Sequence, residues 1–111
     1  MMIEREIIRI RHMLDSANEA VKFTRGKTRS DLDDDRKLAL SLTKLIEIIG
    51  EAATNVSPET HQRYAAIPWK DIIGMRHHLV HGYDLIDLDI LWRVVQDDLP
   101  DLIVELEKIL D

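Results

Sequence analysis

Residues 76–83 read RHHLVHGY, an arginine and three histidines around Leu79 and Val80, closed by a glycine–tyrosine pair. Three of the chain's five histidines fall within five positions here. Imidazole gives and takes protons near neutral pH, and a guanidinium is a permanent cation matched to phosphate. Three chemistries therefore compete: a metal site, an acid–base centre working on a phosphate, and a cationic helix end with no further role. The last is a sufficient account of composition, since cations near the final carbonyls complement a helix dipole.

The metal reading uses His77 and His81, four apart on one helix face. Zinc usually takes a third protein ligand, and a hydrolytic zinc site also wants the glutamate of HExxH. Position 78 is a histidine, so that pattern fails. His12 or His61 would have to approach in the fold, and no metal is expected. The acid–base reading gives separate work to Arg76, His81 and Tyr83. On an ideal helix Arg76 and His81 stand about 140° apart. They share a face only if the helix loosens near Gly82, whereas Arg76 and Tyr83 lie on nearly the same side. A cleft at this helix end, or between two copies of it, would hold all three. Such a set suits metal-free RNA cleavage. The 2′-hydroxyl loses a proton, the phosphorane's charge is stabilised, and the 5′-oxygen gains a proton. A symmetric dimer would supply a second histidine.

The elements that must position these residues are helical. Ile3, Ile7, Ile10, Leu14, Ala17 and Val21 alternate spacings of four and three, a stripe expected to end before Gly26. Leu38, Leu42, Leu45, Ile49, Ala52 and Val56 form a second stripe, preceded by Asp31, Asp33, Asp34 and Asp35. Those aspartates read as charge at a helix N-terminus, and they lack the spacing of a calcium loop. Ser57-Pro58 starts a short helix, serine as cap and proline in the first position. Pro68 opens a third main helix running through RHHLVHGY, with Ile72, Met75 and Leu79 inward, Ile73 and Val80 supplementing them, and Gly82 as its stop. Asp87 or Asp89 caps the last helix, whose stripe is Leu88, Leu91, Val95, Leu99, Leu102, Leu106 and Ile109. Pro100 lies within that stripe, and the unbroken phase predicts one kinked helix. No segment alternates with period two for long enough to propose a strand. The expected fold is all-α: one domain over residues 1–111, an antiparallel bundle of four main helices plus one short helix.

Composition sets the outer bounds. The chain is 45% hydrophobic and 32% charged, enough for a core with a solvated surface. Cysteine is absent, which excludes disulfides, thiolate catalysis and cysteine-held zinc. The first dozen residues contain no uninterrupted apolar run, so neither a signal peptide nor a membrane association is expected, and the location expected is cytoplasmic. A net charge of −6 argues against non-specific polyanion binding. Residues 61–83 depart from that trend, with Arg63, Lys70 and Arg76 against Asp71 alone and four histidines besides. An anion would be met there.

Other positions carry weaker signals. Glu47 and Glu51 form an i,i+4 pair beside Gly50, and Glu51 is the one expected to approach the motif as a supporting carboxylate. Ser57 reads as a cap, not a nucleophile. Trp69 and Tyr64 suit either base stacking or core packing.

Arg76-x4-His81-Gly82-Tyr83 resembles the Arg-x4-His-x-Tyr motif of HepT toxins, a branch of the HEPN superfamily of α-helical nucleic-acid-cleaving domains. LIEIIGEAATNVS, IPWKDIIGMRHHLVHGY and LWRVVQDDLPDLIVELEKIL are similar to HepT sequence in order and spacing. The resemblance implies a dimeric ribonuclease toxin, active without metal on cellular RNA such as tRNA or mRNA. Arg76 and His81 would be its catalytic residues, in a cleft built by both protomers. Tyr83 would be the residue to which a minimal nucleotidyltransferase antitoxin attaches AMP, the ATP and Mg²⁺ belonging to that partner. Phosphates added beside Arg76 and His81 would occupy the anion site and repel RNA. The family often has a small polar residue after the arginine, where this chain has His77. His77 is thus a further candidate of open role, and His78 points elsewhere. A reading of another class is a non-catalytic helical adaptor that serves the nucleotidyltransferase as substrate.

Overall fold

The computed structural model describes residues 2–111. Helix α1 spans Glu4–Phe23. A one-turn helix α2, Asp31–Asp34, leads into α3, Arg36–Thr54. The short α4, Pro58–Arg63, precedes α5, Trp69–Leu79. A two-stranded antiparallel hairpin follows, β1 Val80–His81 and β2 Leu85–Ile86, then α6, Leu88–Arg93. A π-helical turn, Val94–Asp98, joins α6 to α7, Leu99–Leu110.

The helices form where sequence chemistry starts and stops them. Asp35 accepts the Leu38 N–H at the head of α3, Ser57 accepts that of Thr60 at α4, and Asp87 that of Ile90 at α6. Of the two aspartates offered for the last cap, Asp87 is the one used. Asp89 instead accepts from Arg29 Nε at 2.7 Å, and Arg29 also bonds Asp33, so the aspartate-rich turn is tied to the start of α6. Among the described residues, no group of three or more His, Asp or Glu side chains stands close enough to hold a metal ion.

Helix α1 packs against α3 and α7, and α3 packs on its other side against α5. Arg9, near the start of α1, donates to the carbonyl of Asn55 just beyond the end of α3, which fixes the two as antiparallel. The buried line of α1 is Ile10, Met13, Ala17 and Ala20, while Ile3 is 57% exposed and lies before the first turn. The expected stripe thus straddled the buried line, and its first member stays in solvent. The all-α bundle stands, with one local departure. Helix α5 ends at Leu79, because Val80 turns to extended backbone (φ −113°, ψ 119°) and pairs across the hairpin with Ile86. The helix does not run on to Gly82. Near Pro100 the chain keeps one continuous helical path, and the π turn is where it adjusts to a residue that cannot donate to the carbonyl four back. No helix of the described residues is long and apolar enough to cross a membrane.

Candidate active site at the end of α5

Gly50 lies where α3 crosses α5. A Cβ at that position would lie 3.4 Å from the carbonyl oxygen of Ile72 and 3.6 Å from that of Ile73. This close crossing lets a side chain one turn earlier on α3 reach the last turn of α5. Glu47 does so: its Oε2 accepts from Arg76 Nε at 3.1 Å, while its Oε1 accepts from Lys44 Nζ at 3.0 Å. The hydrogen bond from Lys44 and the positive charges of Lys44 and Arg76 hold the Glu47 carboxyl below the usual glutamate range, against an opposing push from partial burial. The carboxylate therefore stays charged at neutral pH and anchors the arginine. A guanidinium has five N–H donors. Only Nε–H is engaged here among the described residues, so the two terminal NH₂ groups remain for an incoming anion.

His81 and Tyr83 reach the same end of the molecule by another route. The Asp87 N–H donates to the Leu79 carbonyl at 2.7 Å and closes the base of the hairpin on the end of α5. His81 lies on β1 opposite Leu85, and its side chain is exposed. Gly82 turns the chain with φ +70°, a conformation that costs a residue bearing a Cβ roughly 1–2 kcal/mol. Tyr83 follows at the tip, 93% exposed. Since His81 has left the helix, the 140° separation from Arg76 does not apply, and the loosening anticipated near Gly82 begins two residues earlier. The HxxxH face disappears for the same reason: His77 projects from α5 and His81 from a strand.

Other candidates scatter. His77 and His78 are exposed on α5, without side-chain hydrogen bonds among the described residues. Glu51 makes no bond to Arg76. It lines a shallow groove between α1 and α3 with Arg9, His12, Lys44 and Glu47. Glu47 takes the role expected of Glu51, and the i,i+4 pair beside Gly50 was its only signal in the sequence. His61 Nε2 donates to the Ala53 carbonyl (3.0 Å) and its ring stacks on Trp69 at 4.5 Å. Trp69 is buried and donates to the Tyr64 carbonyl, so its indole is core rather than a base-stacking surface.

The family model described as "Ribonuclease HepT-like" matches residues 13–109. A protein of Methanocaldococcus jannaschii named "Putative RNase MJ1380" is 30% identical over 95 residues, covering 86% of this chain and 87% of its own length. "Probable ribonuclease HepT" of Thermococcus cleftensis is 34% identical over 88 residues, 79% of this chain and 80% of that one. A third, "Gamma-glutamylcyclotransferase and putative RNase MJ0434" of M. jannaschii, is 36% identical over 94% of this chain, which spans only 47% of that longer protein. No solved structure matches the chain.

Proposed function

The chain belongs to the HepT-like ribonuclease family, and from that premise we propose that it is a metal-independent endoribonuclease toxin using Arg76 and His81. The observation that carries the reading is Arg76 anchored through one nitrogen by Glu47, one turn before a hairpin that bears an exposed histidine and tyrosine. The free guanidinium edges bind the scissile phosphate and stabilise the charge that grows on it. His81 removes the proton of the 2′-hydroxyl or delivers one to the 5′-oxygen. The 2′-oxygen bonds to phosphorus as the bond from phosphorus to the 5′-oxygen breaks, leaving a cyclic phosphate and a free 5′-hydroxyl. A second copy supplies the second histidine, so acid and base need not be the same group.

The off-switch in this reading is Tyr83. A phenol at a hairpin tip, 93% exposed, is open to a transferase, and AMP attached there carries phosphate to the anion site. The donor ATP and its Mg²⁺ belong to the nucleotidyltransferase partner.

The test is cleavage of tRNA and mRNA by wild type and His81→Ala, each with and without EDTA. Cleavage that survives EDTA and is lost in the variant supports the mechanism. Equal cleavage by both proteins, or loss with EDTA alone, would falsify it, as would a rate that is flat across the neutral pH range. Mass analysis after incubation with the partner and ATP should place the added AMP on Tyr83, and the modified protein should no longer cut. Modification without any change in cleavage would favour the non-catalytic adaptor.

A further inference from the structure

Residues 22–29 read KFTRGKTR, four cations in eight positions with no acid among them, in a chain whose net charge is −6. They close α1 and form the turn that leads into α2. The turn is held by groups other than its free charges. Thr24 is buried, and its hydroxyl donates to the Val21 carbonyl and accepts from Gln96 Nε2 at 3.0 Å. Gly26 takes φ +73°, and the Lys27 N–H donates to the Thr24 carbonyl at 3.0 Å. At the far side Arg29 is bonded to both Asp33 and Asp89. Between these anchors Lys22, Arg25 and Lys27 are exposed and make no ion pair among the described residues. The next turn does not cancel them. Arg36 and Lys37 follow it, so residues 22–37 carry six cations against four aspartates. Of those four, Asp31 accepts from the Thr28 N–H at 2.6 Å, Asp33 is taken by Arg29, and Asp35 caps α3.

Two further observations narrow what this patch meets. Phe23, the chain's one phenylalanine, sits among the cations and is 39% exposed. Cations interleaved with an open aromatic ring suit single-stranded nucleic acid, since the cations track phosphates while a base stacks on the ring. The second observation is place. Arg29 Nε donates to Asp89 at 2.7 Å, and Asp89 stands two residues from Asp87, whose N–H closes the hairpin that bears His81 and Tyr83. The patch therefore shares one end of the bundle with the active site proposed above. We propose that Lys22, Phe23, Arg25 and Lys27 form an accessory site for single-stranded RNA, holding a stretch of strand beyond the one cut at Arg76 and His81. This rests on the ribonuclease reading and adds to it where the rest of the substrate lies. The guanidinium of Arg29 serves the site indirectly, by tying the turn to the head of α6.

Fluorescence anisotropy with a labelled single-stranded RNA of about 12 nucleotides, within the usual span of such sites, reads binding directly. The full chain carrying His81→Ala is used, so that cleavage does not remove the probe. Lys22→Gln, Arg25→Gln and Lys27→Gln together should weaken binding by about tenfold or more at low salt. They should also flatten the slope of log K against log salt by about 2, because each phosphate contact on a single strand contributes roughly 0.7. Phe23→Leu keeps an apolar side chain without a π face. It should weaken single-stranded binding by about fivefold or more, and duplex binding less. Lys108→Gln, toward the far end of α7, should leave binding unchanged. Thermal melts of each variant separate lost binding from lost folding. With His81 intact, the triple variant should raise KM for long RNA and leave cleavage of a dinucleotide unchanged. Unaltered affinity and salt slope in the folded triple variant overturn the proposal. Tighter binding of duplex RNA, or of phosphatidylserine vesicles, than of single strands overturns it too. A chain that binds RNA through this patch yet never cuts it upholds the site and overturns the catalytic reading alone.

Discussion

Among the described residues Arg76 is held through Nε alone, and the choice of nitrogen decides what the rest of the side chain can do. Were Glu47 to grip both terminal nitrogens, no fork would remain for a phosphate. With Nε pinned, the guanidinium is oriented and still has its bidentate edge. A surface ion pair of this kind contributes about 0–1 kcal/mol to stability, so Glu47 is better understood as a positioning residue than as a structural one. Arg76→Lys keeps a cation near Glu47 but loses the planar fork. Single-turnover cleavage should fall by about a hundredfold or more with little change in melting temperature, the scale seen when one charge-stabilising donor is removed. Glu47→Gln should lower kcat by roughly tenfold, about 1.4 kcal/mol of barrier, at nearly unchanged stability. If Glu47→Gln instead lowers the melting temperature by many degrees and leaves kcat untouched, the positioning role is wrong.

At the scale of elements, two junctions place the active end. The first is the close crossing at Gly50. Gly50→Val would push side-chain carbon onto the backbone of Ile72 and Ile73, and overpacking of this kind costs about 1–3 kcal/mol. Cleavage should drop beyond what the fraction unfolded explains, because α3 would no longer deliver Glu47 to Arg76. Cleavage proportional to folded protein would remove that link. The second junction is Glu6 on α1, which accepts from the Ser57 N–H at 2.8 Å and from Thr60 Oγ1 at 3.0 Å and so holds the head of α4. These bonds lower the Glu6 carboxyl below its usual range, outweighing the effect of burial. Its folded pKa is thus below the unfolded one. The stabilisation is complete above the unfolded value and is lost as pH falls through the folded value. Urea unfolding should show Glu6→Gln destabilised by about 1–3 kcal/mol at neutral pH, the usual scale for bonds to a charged group. The gap should close in acid, and a gap that is the same at both pH values would count against this account.

The whole molecule presents Arg76 on a partly apolar face. Ile73, one turn earlier on α5, is 38% exposed, and Leu40, on the side of α3 that also bears Lys44 and Glu47, is 47% exposed. A second copy docked across this face would bury both and bring two Arg76–His81 sets toward one another, which fits the dimeric cleft proposed above. Sedimentation should give twice the monomer mass, and Ile73→Asp should weaken association and cleavage together. A monomeric variant that cuts at the full rate would show that one chain suffices. The acidic total charge bears on the same scale: a net −6 disfavours binding of RNA over the surface at large.

The sequence by itself determined the main helices, the Ser57 cap and the motif, because these follow from near-neighbour geometry. A stripe of period 3.6 must bury one face, and Asp35, Ser57 and Asp87 sit where orphan N–H groups need acceptors. It also made the family legible, since the motif and three flanking stretches are contiguous in the chain. Where α5 stops was not legible. A hairpin whose strands are two residues each has no period to read, and the end of the helix depends on Val80 finding Ile86 across a turn. For the carboxylate beside Arg76 the sequence pointed to Glu51, and the structure puts Glu47 there instead. Both lie near Gly50, and only the crossing of α3 over α5 brings Glu47 to the arginine 29 positions on. Tertiary structure decided those points because each depends on the distance between two elements, a quantity no single stretch of sequence carries.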